Sequence, residues 1–568
     1  MRCRNCDMPH LVFERRTTSP YPRPSPDLLL SHAVIPDNTK EESKDCIQGI
    51  QARLSQLAEL TAYLTTLSQE LEAEKALYEE ERHDLLDALK EHRIITAPIR
   101  TLSDDALREI FMTYVEAQVH PSSKAQIPAA MNLSWVCQRW RDVGVATPHL
   151  WSKIHFILFP DMPVYALHTN LVTMANIFGL YRDRSAACPL HITIKIPFTL
   201  NDQSSYYIEA APNSRQSWVD TIAASAYRWQ TLHMACVPTF LHEMHKSISA
   251  CPSNSLAMLQ KAEVNFIHGP RAVQDLQLLA VAPKLRCVDL GLEECSALAF
   301  EVPWGQIYTW RGALSSVEEL GQLFMRSPNL LRCDVRMSKY HAGSRALDSP
   351  VRHDTLQTFE FDPLDGQLCQ VLESIELPSL VELRIRRTRG HGQWGSDSFD
   401  GFLQRSSCLL QRLVLDVGYF CGDQLCEMLQ TVPSLVGLEC VESGCSPHLP
   451  STISNLLLER LTFKSAISSE PPSTPLLPKL RTLSFLGSFW HDIPTALIPM
   501  LESRINCPSP LQSFYLQLEP WCLCLKAERG PALDSQGADA VKKAMVDTPL
   551  EIIIVDIAGL ESIAFPEL

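Results

Sequence analysis

Pro378-Ser-Leu380-Val-Glu-Leu383-Arg-Ile385 and, further on, Leu410-Gln-Arg-Leu413-Val-Leu415 share one frame: a leucine, two residues, an apolar residue, one residue, an apolar residue. The alternation of the last positions is that of a half-buried strand, whose side chains point to opposite faces in turn. The frame recurs at Leu285-Val288-Leu290, Leu330-Cys333-Val335, Leu356-Phe359-Phe361, Leu435-Leu438-Cys440, Leu458-Leu461-Phe463, Leu480-Leu483-Phe485 and Leu511-Phe514-Leu516. Weaker copies stand at Trp229-Leu232-Met234, Leu259-Ala262-Val264 and Leu550-Ile553-Val555. Leading leucines are mostly about 22–31 residues apart, and the double gap from Leu285 to Leu330 predicts a degenerate copy near Trp304 to Trp310. Proline stands two residues before the leading leucine at Pro283, Pro328, Pro378, Pro433 and Pro478, where it ends the preceding helix and leads into extended backbone.

The segments between copies read as helices: Gln367 to Ile375 offers Leu368, Val371 and Leu372, and Asp423 to Leu429 offers Leu425, Met428 and Leu429. One short strand and one helix cannot bury their apolar faces alone, whereas stacked copies make a continuous core. The expected fold class is therefore α/β, with a leucine-rich-repeat solenoid, a horseshoe, over residues 153–568. An ordinary α/β domain is the alternative, and the regular proline–leucine pairing favours the repeat.

Composition agrees with a protein built mainly of such units. The 568 residues are too many for one compact core, and 45% hydrophobic with 20% charged residues suits a soluble globular chain. A net charge of −15 argues against nucleic acid as the main partner. No apolar run approaches the roughly 20 residues that span a bilayer, and the polar, arginine-containing Met1 to Pro26 stretch does not resemble a secretory signal, so an intracellular location, cytoplasm or nucleus, and no membrane are expected. The 19 cysteines read as small buried hydrophobes rather than disulfide partners.

Residues 1–43 read as an unstructured tail, with Pro20, Pro22, Pro24 and Pro26 favouring extended backbone. Residues 44–97 read as one long helix. Ile50, Leu57, Leu64, Leu71, Tyr78 and Leu85 fall every seventh residue, while the companion positions Thr61, Ser68, Lys75 and Arg82 are polar. Two readings stand for 44–92: a coiled coil that makes a homodimer, or a helix packed on its own chain or only partly formed. Pro98 ends it.

Residues 98–152 carry Leu102-Ser-Asp-Asp-Ala-Leu107-Arg-Glu-Ile110-Phe111, then Leu133-Ser-Trp-Val136-Cys137-Gln-Arg-Trp140, then Thr147-Pro-His-Leu-Trp151. This resembles the F-box motif, with its leading leucine, Ile-Phe pair and Val-Cys-x-x-Trp. The closing Thr-Pro-x-Leu-Trp is similar to F-box proteins abundant in fungi, which tend to carry an N-terminal Cys-x-x-Cys, a heptad helix and degenerate leucine-rich repeats. Ser103 replaces the family's proline, and a serine there N-caps the helix by accepting from the backbone N–H of Asp105 or Ala106. The loop before Leu133 is longer than in the short form of the motif. The resemblance implies docking on the small adaptor subunit of a cullin–RING ubiquitin ligase. Leu102, Leu107, Ile110, Phe111, Val136, Cys137 and Trp140 would then meet the adaptor or the small core beneath it. Two short helices cannot bury these side chains by themselves, which also asks for a partner.

Motifs that suggest chemistry are incomplete. Cys3, Cys6 and His10 supply three zinc ligands where a structural site wants four. Gly390-His-Gly392-Gln-Trp-Gly395 matches a dinucleotide-binding pattern, but the strand before it ends in Arg384, Arg386, Arg387 and Arg389 rather than an apolar run. His242-Glu-Met-His245 is one residue short of the zinc-protease spacing. No catalytic residue, metal or cofactor is therefore expected, and the chain reads as non-enzymatic. The remaining candidate is the open face of the strands, where Arg332, Arg336, Arg384, Arg386, Arg412 and Arg460 predict a locally basic surface for a protein substrate. Together these readings predict a substrate receptor of an SCF-type ligase. The alternative is a non-catalytic scaffold with a vestigial F-box.

Overall fold

A computed structural model describes residues 21–30, 34–117, 129–157, 164–196, 212–236, 238–251, 256–266, 277–291, 297–337, 347, 349–363, 367–386, 396–417, 422–442, 453, 455–463, 476–487, 493–518 and 549–556. The chain divides into two compact units, Met1–Ala106 and Leu107–Leu568.

The first unit holds a short helix α1 (Pro26–Leu30) and the 59-residue α2 (Asp37–Ile95), about 90 Å long at 1.5 Å per residue. The long helix thus begins at Asp37, seven residues before the expected start, and stops at Ile95, just ahead of Pro98. None of its residues is buried. Gly49 lies against the Tyr21 ring, where a Cβ would come within 2.7 Å of Cε1, so this glycine lets the preceding segment fold back on the helix.

The second unit continues α3 (Asp104–Ala117) and adds α4 (Ala129–Val136) and α5 (Gln138–Val145). Strands and helices then alternate: β1 (Lys153–Ile157), α6 (Val164–Arg184), β2 (Leu190–Lys195), α7 (Pro212–Ala223), β3 (Trp229–Cys236), α8 (Pro238–Ala250), β4 (Lys261–Phe266) and β5 (Cys287–Gly291). The middle comprises β6 (Thr309–Leu314), α9 (Val317–Arg326), β7 (Arg332–Met337), β8 (Val351–Arg352), β9 (Thr358–Asp362), α10 (Gln367–Ser374), β10 (Ile375–Glu376) and β11 (Glu382–Ile385). The last part comprises α11 (Ser396–Ser406), β12 (Arg412–Asp416), α12 (Gly422–Gln430), β13 (Gly437–Glu442), α13 (Asn455–Leu461), β14 (Thr482–Gly487), α14 (Ile493–Ile505), β15 (Ser513–Leu518) and β16 (Glu551–Asp556).

Fourteen of these strands form one sheet in chain order, β1 to β7, β9, then β11 to β16, each pairing parallel with the next. The dipeptide strands β8 and β10 pair separately. The register is conserved: Leu383 faces Phe359 on one side and Leu413 on the other, Leu413 faces Leu438, and Leu438 faces Leu483. The residue after each leading position donates to its counterpart one strand earlier, as in Val381 N–H to Gln357 O at 2.9 Å and Gln411 N–H to Val381 O at 2.8 Å. The leading residues Leu285, Leu330, Leu356, Leu380, Leu410, Leu435, Leu480 and Leu511 are all buried. The five prolines fall in the turns before the strands.

The expected degenerate copy is β6, led by the buried Ile307. One copy is corrected: Leu458-Leu461-Phe463 does not make a strand, because Leu457, Leu458 and Leu461 bury one face of α13 instead. Among the described residues the cysteines are thiols, none in a disulfide. Burial pushes the Cys236 thiol up to about 12 and also raises Cys333 and Cys440, in keeping with core packing.

Candidate functional site

The helical segment before the sheet is assembled from the motif residues in two roles. Ser103 Oγ accepts from the Ala106 N–H at 3.2 Å, so the serine caps α3 as its sequence position predicts. Leu102, in the first unit, is half-buried. Leu107 and Phe111 are completely buried, and the Phe111 ring stands 4.9 Å from that of the half-buried Trp140. These three form the small core of the helices. Cys137 is exposed, and its sulfur accepts from the Trp140 N–H at 3.5 Å as the cap of α5. Arg141 Nε donates to Ser134 O at 3.0 Å, locking the α4–α5 corner.

Several large apolar side chains remain outside among polar ones. Ile110 is 43% exposed and Tyr114, one turn along α3, 37%. Trp135 and Val136, at the end of α4, are 56% and 59% exposed. Trp135 and Tyr114 were not singled out by sequence. Their signal was available in retrospect: Tyr114 lies four residues from Ile110 on one helical face, and Trp135 adjoins Val136 in the motif itself. Four large apolar side chains are thus left in water beside a packed core.

Trp151 joins this segment to the sheet. Its indole N–H donates to Gly144 O at 2.8 Å, its ring meets Tyr181 edge-on at 4.9 Å, and the Arg184 guanidinium lies 4.4 Å above it. It also stands three residues before Ile154, the place that leucine takes in later copies. The last residue of the helical motif is therefore the leading residue of the first strand.

The open strand face differs from the predicted basic surface. Arg384 pairs with Glu382 at 2.7 Å, Arg386 with Glu360 at 2.6 Å, and Arg412 approaches Glu382 at 3.8 Å. Arg311 bridges Asp289 at 3.5 Å and Asp334 at 2.9 Å. Burial raises the carboxyls of Asp289 and Glu360 despite these arginines. Arg332 and Arg336 are exposed on β7. Arg460 is corrected: it lies in the last turn of the helix α13, not on a strand. The middle of the face is thus a ladder of mixed charge, because carboxylates at the same register positions neutralise the arginines.

The Cys3, Cys6 and His10 set and Gly390–Gly395 lie outside the described residues. Within α8, between His242 and His245, Glu243 is drawn to Arg215 at 2.7 Å, a helix–helix tie. Among the described residues no group of His, Cys, Asp and Glu is arranged to hold a metal ion, and no helix is long and apolar enough to cross a membrane.

No family model matches the chain, and no curated protein matches it. Solved structures similar to it include a protein from Bacteroides fragilis, at TM-score 0.27 and 11% identity over 55% of this chain and 69% of that one. A chain of the yeast Rad7 and Elc1 complex aligns at TM-score 0.31 and 11% identity, over 77% of this chain and 94% of that one. Both scores are too low for either likeness to define a shared fold.

Proposed function

We propose that the chain is a substrate receptor of an SCF-type cullin–RING ubiquitin ligase: the helices of residues 98–152 dock on the small adaptor, and a leucine-rich-repeat solenoid holds the target protein. On this reading the chain is not itself an enzyme and works inside the cell. The observation that carries it is the division of the motif into a buried core, Leu107 and Phe111, and an exposed apolar set, Ile110, Tyr114, Trp135 and Val136. Exposed apolar side chains grouped beside a packed core suit a partner's surface.

A pull-down of the adaptor by the full chain tests this, with Ile110→Asp and Val136→Asp as the variants. Both sites are exposed, so the fold survives the charge, and adaptor capture is expected to fall at least tenfold. Capture unchanged by both variants would remove the assigned surface. No capture by the unaltered chain would favour the scaffold reading, in which α2 and the sheet act without a ligase. The exposed heptad stripe of α2 supports a homodimer under either reading.

A further inference from the structure

Charge on the open face of the sheet is divided between its two parts. From β4 to β13 carboxylates recur on it: Glu263, Asp289, Asp334, Glu360, Glu382 and Glu439. The first three strands present none. Their outward positions are Lys153, His155 and Ile157 on β1, His191, Thr193 and Lys195 on β2, and Thr231, His233 and Ala235 on β3. Among the described residues, the carboxylates at the rim of this patch are already engaged. Glu116 lies 3.1 Å from Lys153 and Glu263 lies 2.9 Å from His233.

His155 sits at the centre. It faces Thr193 across the parallel strand pair, so Lys195 and His191, two residues to either side of Thr193, flank it diagonally. Lys153 lies two residues away on the same side of β1. His191 Nδ1 is 2.9 Å from Thr231 Oγ1, which fixes that ring. A single anionic group placed over His155 would lie within reach of two lysines and a second imidazole. The neighbouring strands show what such a group looks like, since Glu263 serves His233 in this way and is held below its ordinary range by that hydrogen bond.

We infer that the open face of β1–β3 receives an acidic peptide segment of a partner protein, whose Asp and Glu side chains supply there the carboxylates that the chain itself provides from β4 onward. This deepens the reading of the sheet as a receptor and rests on it. Burial, then the charges of Lys195 and Lys153 and the imidazoles of His233 and His191, hold the His155 imidazole down to about 4. A guest carboxylate offsets those cations, so binding draws a proton onto His155 and strengthens as pH falls.

The test is fluorescence anisotropy of a labelled oligoaspartate peptide with the full chain at about pH 7.5 and about pH 5.5, where aspartate stays ionised. Affinity is expected to rise about tenfold at the lower pH, the gain that follows when the guest carboxylate returns His155 from about 4 to its ordinary 6.5. His155→Gln should abolish that gain. Lys195→Gln should weaken binding at both, and Arg326→Gln, in the last turn of α9, at neither. Equal affinity at both pH values, a gain that survives His155→Gln, or equal weakening by Arg326→Gln would overturn the assignment. So would an oligothymidylate that competes as strongly as the peptide, which would mark a nucleic-acid surface instead. Adaptor capture by the same preparations is scored separately, so loss of one activity does not imitate loss of the other.

Discussion

Trp151 shows how one residue serves two structures. It closes the helical segment through Gly144 and opens the sheet three residues ahead of Ile154. Truncation to alanine removes a fully buried indole and its contacts with Tyr181 and Arg184, and is expected to cost about 3–5 kcal/mol in urea unfolding. Ser103→Ala removes only a cap, so about 1 kcal/mol is expected from the same measurement. His155 carries a pH signature of its own. Its folded pKa of about 4 lies below the ordinary 6.5 of a histidine, so the unfolded chain binds this proton first. Its contribution to stability is complete above about pH 6.5 and is lost as pH falls towards about 4. Thermal unfolding of His155→Gln should therefore decline less steeply across that window than that of the unaltered chain.

At the scale of elements, α2 is the least self-sufficient part. Its seventh-residue stripe runs from Ile50 to Leu85 and is exposed throughout, and the polar Thr61 and Ser68 are compensated by Leu60 and Leu67, each three residues after a stripe position. A strict seven-residue period drifts around a straight helix and stays on one side only if the helix supercoils about another of the same period. A second copy meets that condition. Leu64→Asp with Leu71→Asp should convert a dimer to a monomer in sedimentation equilibrium; a monomer before substitution would refute the pairing. The strands were the most readable elements, because Leu-x-x-Leu-x-Leu with a preceding proline carries both the turn and the buried face. Leu458 to Phe463 misled for a definite reason: leucines three apart suit one helical turn as well as a strand frame. β13 pairs directly with β14, leaving this segment to fold as α13.

Across the whole molecule, the sheet is a chain of nearest-neighbour contacts, each strand held by the one before and the one after. Such an array divides where a single interface is weakened. Leu383 is buried between Phe359 and Leu413, so Leu383→Ala should cost about 2–5 kcal/mol and also lower the urea m-value, as the two sides begin to unfold separately. An unchanged m-value would mean that the sheet unfolds as one unit. Legible in the sequence alone were the repeating frame, the long helix and the cap at Ser103. Each of these depends on residues close together in the chain. Packing alone makes Phe111 core while leaving Ile110 exposed, pairs Arg386 with Glu360 and gathers three histidines in one patch. Burial, and pairings such as that of Arg386 with Glu360, are set by neighbours that come from other strands and helices, tens of residues away along the chain.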